Sequence, residues 1–287
     1  MELLKLYKER AELDRPLLFQ GEQITIGELL NRYPDYFNKL PTNIFTVDSD
    51  AKTTKGKKLG VTTAVLYMSS ADILTHKTLC PFADIAGCKM DCLRESGRLK
   101  MAHGTKAMIR RTLLFLYARD IFDALMNAEL VRLQIEYGDS LAVRPNGTTD
   151  IDWSNTIKQY PGIQWYDYTK ILGRVKKNTL SNYDLTYSFS PYSSKSLQHG
   201  LEAIKRGYRV AIAFNTANTK AESYHLPKTF LGHKLVSFDE HDARFLDAPN
   251  AIGGLTRKGS SVKTRQEENL KSASFFVRAS DIQRLAA

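Results

Sequence analysis

The chain has 287 residues, of which 43% are hydrophobic and 25% charged, and it carries a formal net charge of +10. That balance excludes a disordered chain and provides for one large core or two modest ones. No run approaches the roughly 20 apolar residues that span a bilayer, and the N-terminus MELLKLYKERAELDR is charged throughout, so no membrane contact and a cytoplasmic location are expected.

In chain order, residues 1–50 read as a helical lead-in, because Leu3, Leu4 and Tyr7, and later Ile26, Leu29 and Leu30, recur at helical spacing. AKTTKGKKLG (51–60) reads as a basic loop, so that residues 1–57 make a helical N-terminal extension with a basic loop. Residues 58–287 form the main domain. VTTAVLYMS (61–69), rich in β-branched and apolar residues, predicts a buried strand, and the cysteine segment follows it directly. Residues 105–137 carry the longest helical pattern. LAVRPN (141–146) is a second strand, WSNTIKQY (153–160) a short helix capped by Asp152, and IQWYDYT (163–169) and YDLTYSFS (183–190) the third and fourth strands. SSKSLQHGLEAIKRG (193–207) is a helix ending on Gly207. RVAIAFNT (209–216) and KLVSFD (234–239) are further strands, and AIGGL (251–255) and SFFVRA (274–279) are weaker candidates. Strands separated by helices or long connections make an α/β protein with a parallel sheet. The number of strands suits a (β/α) TIM-like barrel, full or partial, with an open doubly wound sheet as the competing architecture.

All three cysteines, Cys80, Cys88 and Cys92, lie in one stretch with the spacing C-x7-C-x3-C. An odd, clustered set argues against a disulfide framework and for metal or cluster ligands. Structural zinc commonly takes four ligands on paired short hooks. Here zinc would need His76 or His103 as the fourth, and buried inert thiols are the other alternative. A [4Fe–4S] cube on three thiolates leaves one iron for another ligand or for a small-molecule substrate. Cys88 and Cys92 are one helical turn apart, and Pro81 and Gly87 suit a wrapping loop. Lys77, Lys89, Arg94, Arg98 and Lys100 lie close in sequence and would offset the cluster's negative charge.

Polar residues gather at the expected strand ends: Arg144, Asn146, Thr148 and Asp150; Asp167, Tyr168, Thr169 and Lys170; Ser188, Ser190 and Tyr192; Asn215, Thr216 and Asn218; and Asp239, Glu240, His241 and Asp242. On a barrel they would share the active face. Asp239, His241 and Asp242 could bind a hard metal ion, but a salt bridge from Asp242 or Asp247 to Arg244 is favoured. Gly253, Gly254 and Gly259 with Arg257 and Lys258 could approach a phosphate, a weak signal outside a strand–turn–helix context. The positive charge suits an anionic partner. Tyr160, Trp165, Tyr166, Tyr168, Tyr183, Tyr187 and Tyr192 among Lys170, Arg174, Lys176 and Lys177 could stack bases, which makes nucleic acid or a host protein the alternative partner.

The order CPFADIAGCKMDC, RPNGTTDIDW, YDYTK and FDEHDARFLDAPNAIGGLTRKG resembles the family of bacteriophage proteins named after gene product eighty-eight, over about residues 58 to 260. The resemblance implies a virus-encoded protein acting in the host cytoplasm, a barrel-like fold and an iron–sulfur cluster on cysteines 80, 88 and 92, with no settled activity. More distantly, a three-cysteine loop after the first strand resembles the radical S-adenosylmethionine barrel. The C-x3-C-x2-C fingerprint and the Gly-Gly-Glu stretch of that superfamily are absent, so S-adenosylmethionine has no motif behind it. The expected function is a [4Fe–4S] protein with redox or radical chemistry at an open iron. The alternative is a basic binding module with a structural cluster or zinc.

Overall fold

The computed structural model describes residues 2–48, 51–89, 92, 99, 101–217, 226–257, 274–278, 281–282 and 285. The chain opens with α1 (Leu3–Arg10), a hairpin of β1 (Pro16–Phe19) and β2 (Glu22–Thr25), then α2 (Ile26–Arg32) and α3 (Pro34–Phe37). The helical lead-in therefore contains a hairpin that its spacing did not announce. The hairpin turns through Gln20 and Gly21, both at positive φ, which matches the right-handed twist of the flanking strands. Thr25 and Glu28 form a capping box that starts α2. After β3 (Thr46–Val47), the expected basic loop is instead α4 (Ala51–Gly56) followed by a 3-10 turn over Lys57–Leu59, closed by Gly60 in the left-handed region.

β4 (Thr62–Val65) leads into the cysteine segment. The expected helix over 105–137 is two helices, α5 (Ala102–Tyr117) and α6 (Arg119–Tyr137), broken at Ala118 with φ −139° and ψ 56°. The break has no glycine or proline to signal it. Tertiary contacts set it: Arg10 Nη1 donates to the Tyr117 carbonyl at 2.9 Å, and Phe115 and Phe122 meet edge to face. The remaining elements are β5 (Leu141–Arg144), α7 (Ser154–Ile157), β6 (Gln164–Thr169), α8 (Leu172–Lys177), β7 (Tyr183–Phe189), α9 (Ser194–Lys205), β8 (Val210–Ala217), β9 (Thr229–Phe230), β10 (His233–Ser237) and β11 (Ile252–Arg257). Asp152 accepts from the Ser154 N–H at 2.9 Å at the start of α7. Ser193 caps α9 with Ser196, and Gly207 follows its end at φ +70°. Of the expected strand over 274–279, Val277 makes a single parallel bridge to Phe214.

Nine strands form one sheet in the order β3-β4-β5-β6-β7-β8-β11-β10-β9. It is parallel from β4 to β10, with β3 and β9 antiparallel at the edges. The protein is thus mixed α/β with a mostly parallel sheet flanked by helices. β3 and β9 are the two ends of an open order, and no pairing between them is present among the described residues.

The two faces of the sheet differ sharply. On one, Leu141, Val143, Trp165, Tyr183 and Leu185 pack with Leu113, Phe122 and Leu130 of α5 and α6, in a cluster that also takes in Tyr7, Phe19 and Leu29 of the N-terminal segment. Further along the same face, Tyr187, Phe189, Val210 and Ile212 pack with Ala203 and Ile204 of α9. The other face has only a small apolar group, Val61, Ala142, Tyr166 and Ala243 with Phe245 against it. That face also carries polar side chains, among them Thr63, Arg144, Asp184, Thr186 and Ser188, and it leads to the carboxyl ends of the strands, where the cysteines lie.

Candidate metal centre

Beyond β4 the chain stays tied to the segment after β5 and to α5: the Met68 N–H donates to Thr148 Oγ1, and the Ser69 N–H to Thr112 Oγ1 at 2.8 Å. It then loops outward and closes where Leu79 N–H meets the Ala71 carbonyl, while Asp150 N–H meets Leu79. From Cys80 the backbone coils through Ala83 N–H to the Cys80 carbonyl, Ala86 N–H to Phe82 and Cys88 N–H to Ala83. Gly87 turns it at φ +66°, and a Cβ there would stand 2.4 Å from the Tyr192 ring. Only glycine serves both the conformation and the close approach. Two hydroxyls from the β7–α9 connection clamp the coil: Ser190 Oγ donates to the Ala86 carbonyl and Ser193 Oγ to Ile85, each at 2.7 Å. Met90 and Asp91, in the expected helical turn between Cys88 and Cys92, lie outside the described residues.

All three thiols are free and half-buried. Cys80 Sγ faces the Thr148 carbonyl at 3.6 Å, Cys92 Sγ the Ser70 hydroxyl at 3.3 Å, and Cys88 Sγ the Ala83 carbonyl at 3.8 Å. Burial pushes the Cys80 thiol up to about 12, and negative charge on Cys92, Asp150 or Cys88 raises it further. Burial also raises Cys88, against the lowering influence of the Lys170 ammonium. The thiols are therefore close enough for their charges to interact. Yet among the described residues no three His, Cys, Asp or Glu side chains form a group that could hold a single metal ion. A tetrahedral zinc with bonds of about 2.3 Å draws its sulfurs within about 4 Å of each other. A [4Fe–4S] cube is bound at its corners, so its thiolates stand wider apart than the ligands of a single ion. His76 is exposed and engaged by Glu12 and Arg15, and His103 is exposed on α5.

Of the expected charge partners, Lys77 is exposed and Lys89 pairs with Asp72 at 2.7 Å. Arg94, Arg98 and Lys100 lie outside the described residues. The cation whose charge reaches Cys88 is Lys170, at the end of β6 and 82 positions further on. Nothing local in the sequence marks it for that place. Parallel pairing of β5, β6 and β7 brings it there.

The other strand-end residues divide into a structural set and an open set. Asn146 is buried and fully used. Its N–H and Nδ2 donate to Asp167, Nδ2 also to the Ile151 carbonyl, and its Oδ1 accepts from Thr149, Ile151 and Trp153. Burial raises Asp167 to about 6, against the opposing pull of Arg174 and Arg144 and the bonds from Asn146. Asp150 accepts from the Lys170 N–H and from Thr169, and pairs with Arg174. Asp242 forms an ion pair with Arg144 at 2.7 Å and accepts from the Tyr166 hydroxyl, while Arg244 pairs with Asp247 at 3.1 Å. The favoured salt-bridge reading of the DEHD segment thus holds, with Arg144 as the partner of Asp242. Gly253 and Gly254 lie in β11, where Cβ atoms would strike Phe238 and Leu235, so they serve packing. Gly259, Lys258 and Asn218 lie outside the described residues. Trp165, Tyr166, Tyr183 and Tyr187 are buried, so they do not present faces for stacking bases. No helix among the described residues is long and apolar enough to cross a membrane.

The family model described as "Gene product 88" matches residues 44–274. The match begins before β3 and runs past β11, so it takes in the whole nine-stranded sheet together with the cysteine loop. The chain belongs to this phage-type family. Comparison with curated proteins and with solved structures finds no match.

Proposed function

We propose that the chain is a phage-encoded cytoplasmic protein that holds a [4Fe–4S] cluster on Cys80, Cys88 and Cys92, at the carboxyl face of a partial (β/α) barrel. The observation that supports this reading is that all three cysteines, free and half-buried, lie on one segment beyond a parallel strand, with Cys88 and Cys92 near enough for their charge to act on Cys80, and that two serine hydroxyls clamp its coil. The strand order supports the barrel part. From β4 to β8 neighbours in sequence are neighbours in the sheet, without the reversal that defines a doubly wound fold. Repeated crossovers of one hand then place the helices on one face and curl the other inward.

A cluster on three thiolates supplies electron transfer or an iron open to substrate. The chain's own groups hold the ligands in place. Ser190 and Ser193 fix the coil, the Ser70 hydroxyl can donate to the Cys92 thiolate, and Lys170 offsets negative charge beside Cys88. Radical chemistry with S-adenosylmethionine is the more specific version, and its signature would be cleavage of that cofactor after reduction. A nucleic-acid or host-protein partner on the basic surface is the second reading. It rests on the net charge of +10 and would show as strongly salt-dependent binding.

Anaerobic reconstitution tests the proposal. Iron and sulfide should be retained in equal amounts, with a cubane electron paramagnetic resonance signal after reduction. Cys80→Ser, Cys88→Ser and Cys92→Ser should each lose it. Protein that retains neither iron nor sulfide, and shows no broad visible absorbance, would sink the idea.

A further inference from the structure

Residues 71–79 form a loop closed at its neck, where the Leu79 N–H donates to the Ala71 carbonyl at 3.0 Å. The neck lies between two groups of the metal centre. Ser70, whose hydroxyl meets Cys92 Sγ at 3.3 Å, precedes it, and Cys80 follows it. Ala71 stands there at φ +50°, in the left-handed region. That backbone is unfavourable for a residue with a Cβ and persists only where its surroundings hold it.

The hold comes from two side chains in the connection between α1 and β1, Glu12 and Arg15. That connection is itself braced: the Arg15 N–H donates to the Glu12 carbonyl at 3.0 Å, and the Ile26 and Gly27 N–H groups of α2 donate to the Arg15 and Leu13 carbonyls at 3.1 and 2.8 Å. From this support Arg15 Nε donates to the Ile73 carbonyl at 3.2 Å, and Nη2 to the Asp72 carbonyl. Arg15 Nη1 stands 3.0 Å from His76 Nδ1. Glu12 Oε1 accepts from the Thr75 hydroxyl at 2.9 Å and from the His76 N–H at 3.0 Å. Thr75 is buried and the Arg15 side chain is 15% exposed, so solvent screens these bonds little. Asp72 extends the connection. Its carboxylate lies 3.7 Å from Arg15 Nη2 and 2.7 Å from the ammonium of Lys89, the residue after Cys88. Glu12 and Arg15 lie before residue 44, where the family match begins, while everything they hold in the loop lies inside it.

We propose that Glu12 and Arg15 are positioning residues, a latch by which the leading segment holds the 71–79 loop closed at its neck and so keeps Cys80 and Ser70 in place. With the latch released, Ala71 leaves the left-handed region and its bond to Leu79 parts. The Asp150 N–H still holds the Leu79 carbonyl at 2.9 Å, so the neck loosens while the sheet stays folded. The latch thus sets how often the segment around Cys80 opens to solvent, and with it how fast iron enters or leaves. The effect on iron rests on the cluster proposed above. The effect on the loop does not.

The test uses the full chain, first iron-free. In native-state hydrogen exchange the Leu79 amide should exchange about tenfold or more faster in Arg15→Ala, which loses charge-assisted bonds to two carbonyls, while amides of β6 and β7 keep their rates. Arg32→Ala, which removes the ion pair with Glu22 in the same leading segment, should leave the Leu79 rate unchanged. Glu12→Gln keeps the shape of the side chain and should also speed exchange, and it decides the matter should Arg15→Ala lose its circular dichroism signature. Ala71→Gly added to Arg15→Ala should restore part of the protection, because glycine removes the cost of φ +50°. At one fixed pH, iodoacetamide should label Cys80 faster in Arg15→Ala, and Cys88 much less so, because Ser190 and Ser193 still clamp its coil. After anaerobic reconstitution, Arg15→Ala should give up iron to a chelator faster than Arg32→Ala. Equal Leu79 exchange in the Arg15 and Arg32 variants, equal acceleration at Leu79 and in β6 and β7, or no gain from Ala71→Gly would overturn the latch. Equal iron loss from the two reconstituted variants would overturn its control of iron exchange. Arg15-dependent exchange in a chain that takes up no iron would uphold the latch and refute the cluster alone.

Discussion

Replacing Gly87 by alanine tests whether the cysteine coil is set by the contact of Gly87 with Tyr192. Two costs arise. An alanine held at φ +66° pays about 1–2 kcal/mol for the left-handed backbone. Its Cβ would also stand 2.4 Å from the Tyr192 ring, so the ring must move, at about 1–3 kcal/mol for overpacking. Together they come to about 2–5 kcal/mol, and the lower end already reduces the native coil about thirtyfold. Tyr192 sits between Ser190 and Ser193, so a displaced ring pulls on both hydroxyl clamps. Iron retained per chain after reconstitution at graded iron concentration should fall in Gly87→Ala. The thermal midpoint should move far less, because the coil lies outside the large apolar clusters. Adding Tyr192→Ala removes the collision but not the backbone strain, so the double variant should recover about 1–3 kcal/mol and no more. Iron retention in Gly87→Ala equal to wild type, or no recovery on adding Tyr192→Ala, would refute the reasoning.

Three further outcomes are expected. Asn146→Ala strips the partners from several buried groups of Asp167, Thr149, Ile151 and Trp153 and should destabilise the fold by about 3–5 kcal/mol, read from urea unfolding; a loss under 1 kcal/mol would show that water replaces the amide. Asp167 is raised from 3.8 to about 6, so the folded state holds its proton more tightly; its contribution is full below pH 3.8 and is lost as pH rises through 6. Wild type should therefore lose on the order of 2 kcal/mol relative to Asp167→Asn between pH 4 and 6.5, and parallel stability curves for the two would contradict it. In the iron-free chain, the Cys80 thiol at about 12 instead of 9.0 has a thiolate fraction about a thousandfold lower at pH 8, so iodoacetamide should label it slowly and about ten times faster per pH unit; labelling at the rate of free cysteine would rule out the buried thiol.

The parallel strands were legible because β-branched and aromatic residues cluster in VTTAV, IQWYDYT, YDLTYSFS and RVAIAF between turn signals. α9 was legible from Ser193 and Gly207 at its ends. The hairpin of β1 and β2 was hidden because PLLF and EQIT are short and their leucines and isoleucines fit a helical stripe equally well. The basic run at 51–60 has no long apolar pattern, yet α4 forms over its first half and buries Thr53. The break at Ala118 was invisible because packing around Phe115 and Phe122, rather than a breaker residue, produces it. At the candidate site, the cysteine spacing was local and could be read directly. The clamps from Ser190 and Ser193, the approach of Lys170 and the pairing of Asp242 with Arg144 were not, because each depends on strand register between segments far apart in the chain.

The serine clamps also fix an order of events during synthesis. The Ala86 and Ile85 carbonyls wait for hydroxyls 104 and 108 residues downstream. At about 5–20 residues per second, a ribosome needs roughly 5–20 s to make that stretch after the cysteines have emerged. Throughout that interval the three thiols are displayed on a coil without its clamps. The proposed cluster, were it inserted at that stage, would meet an open set of ligands, and the half-buried arrangement closes only once the β7–α9 connection has been made.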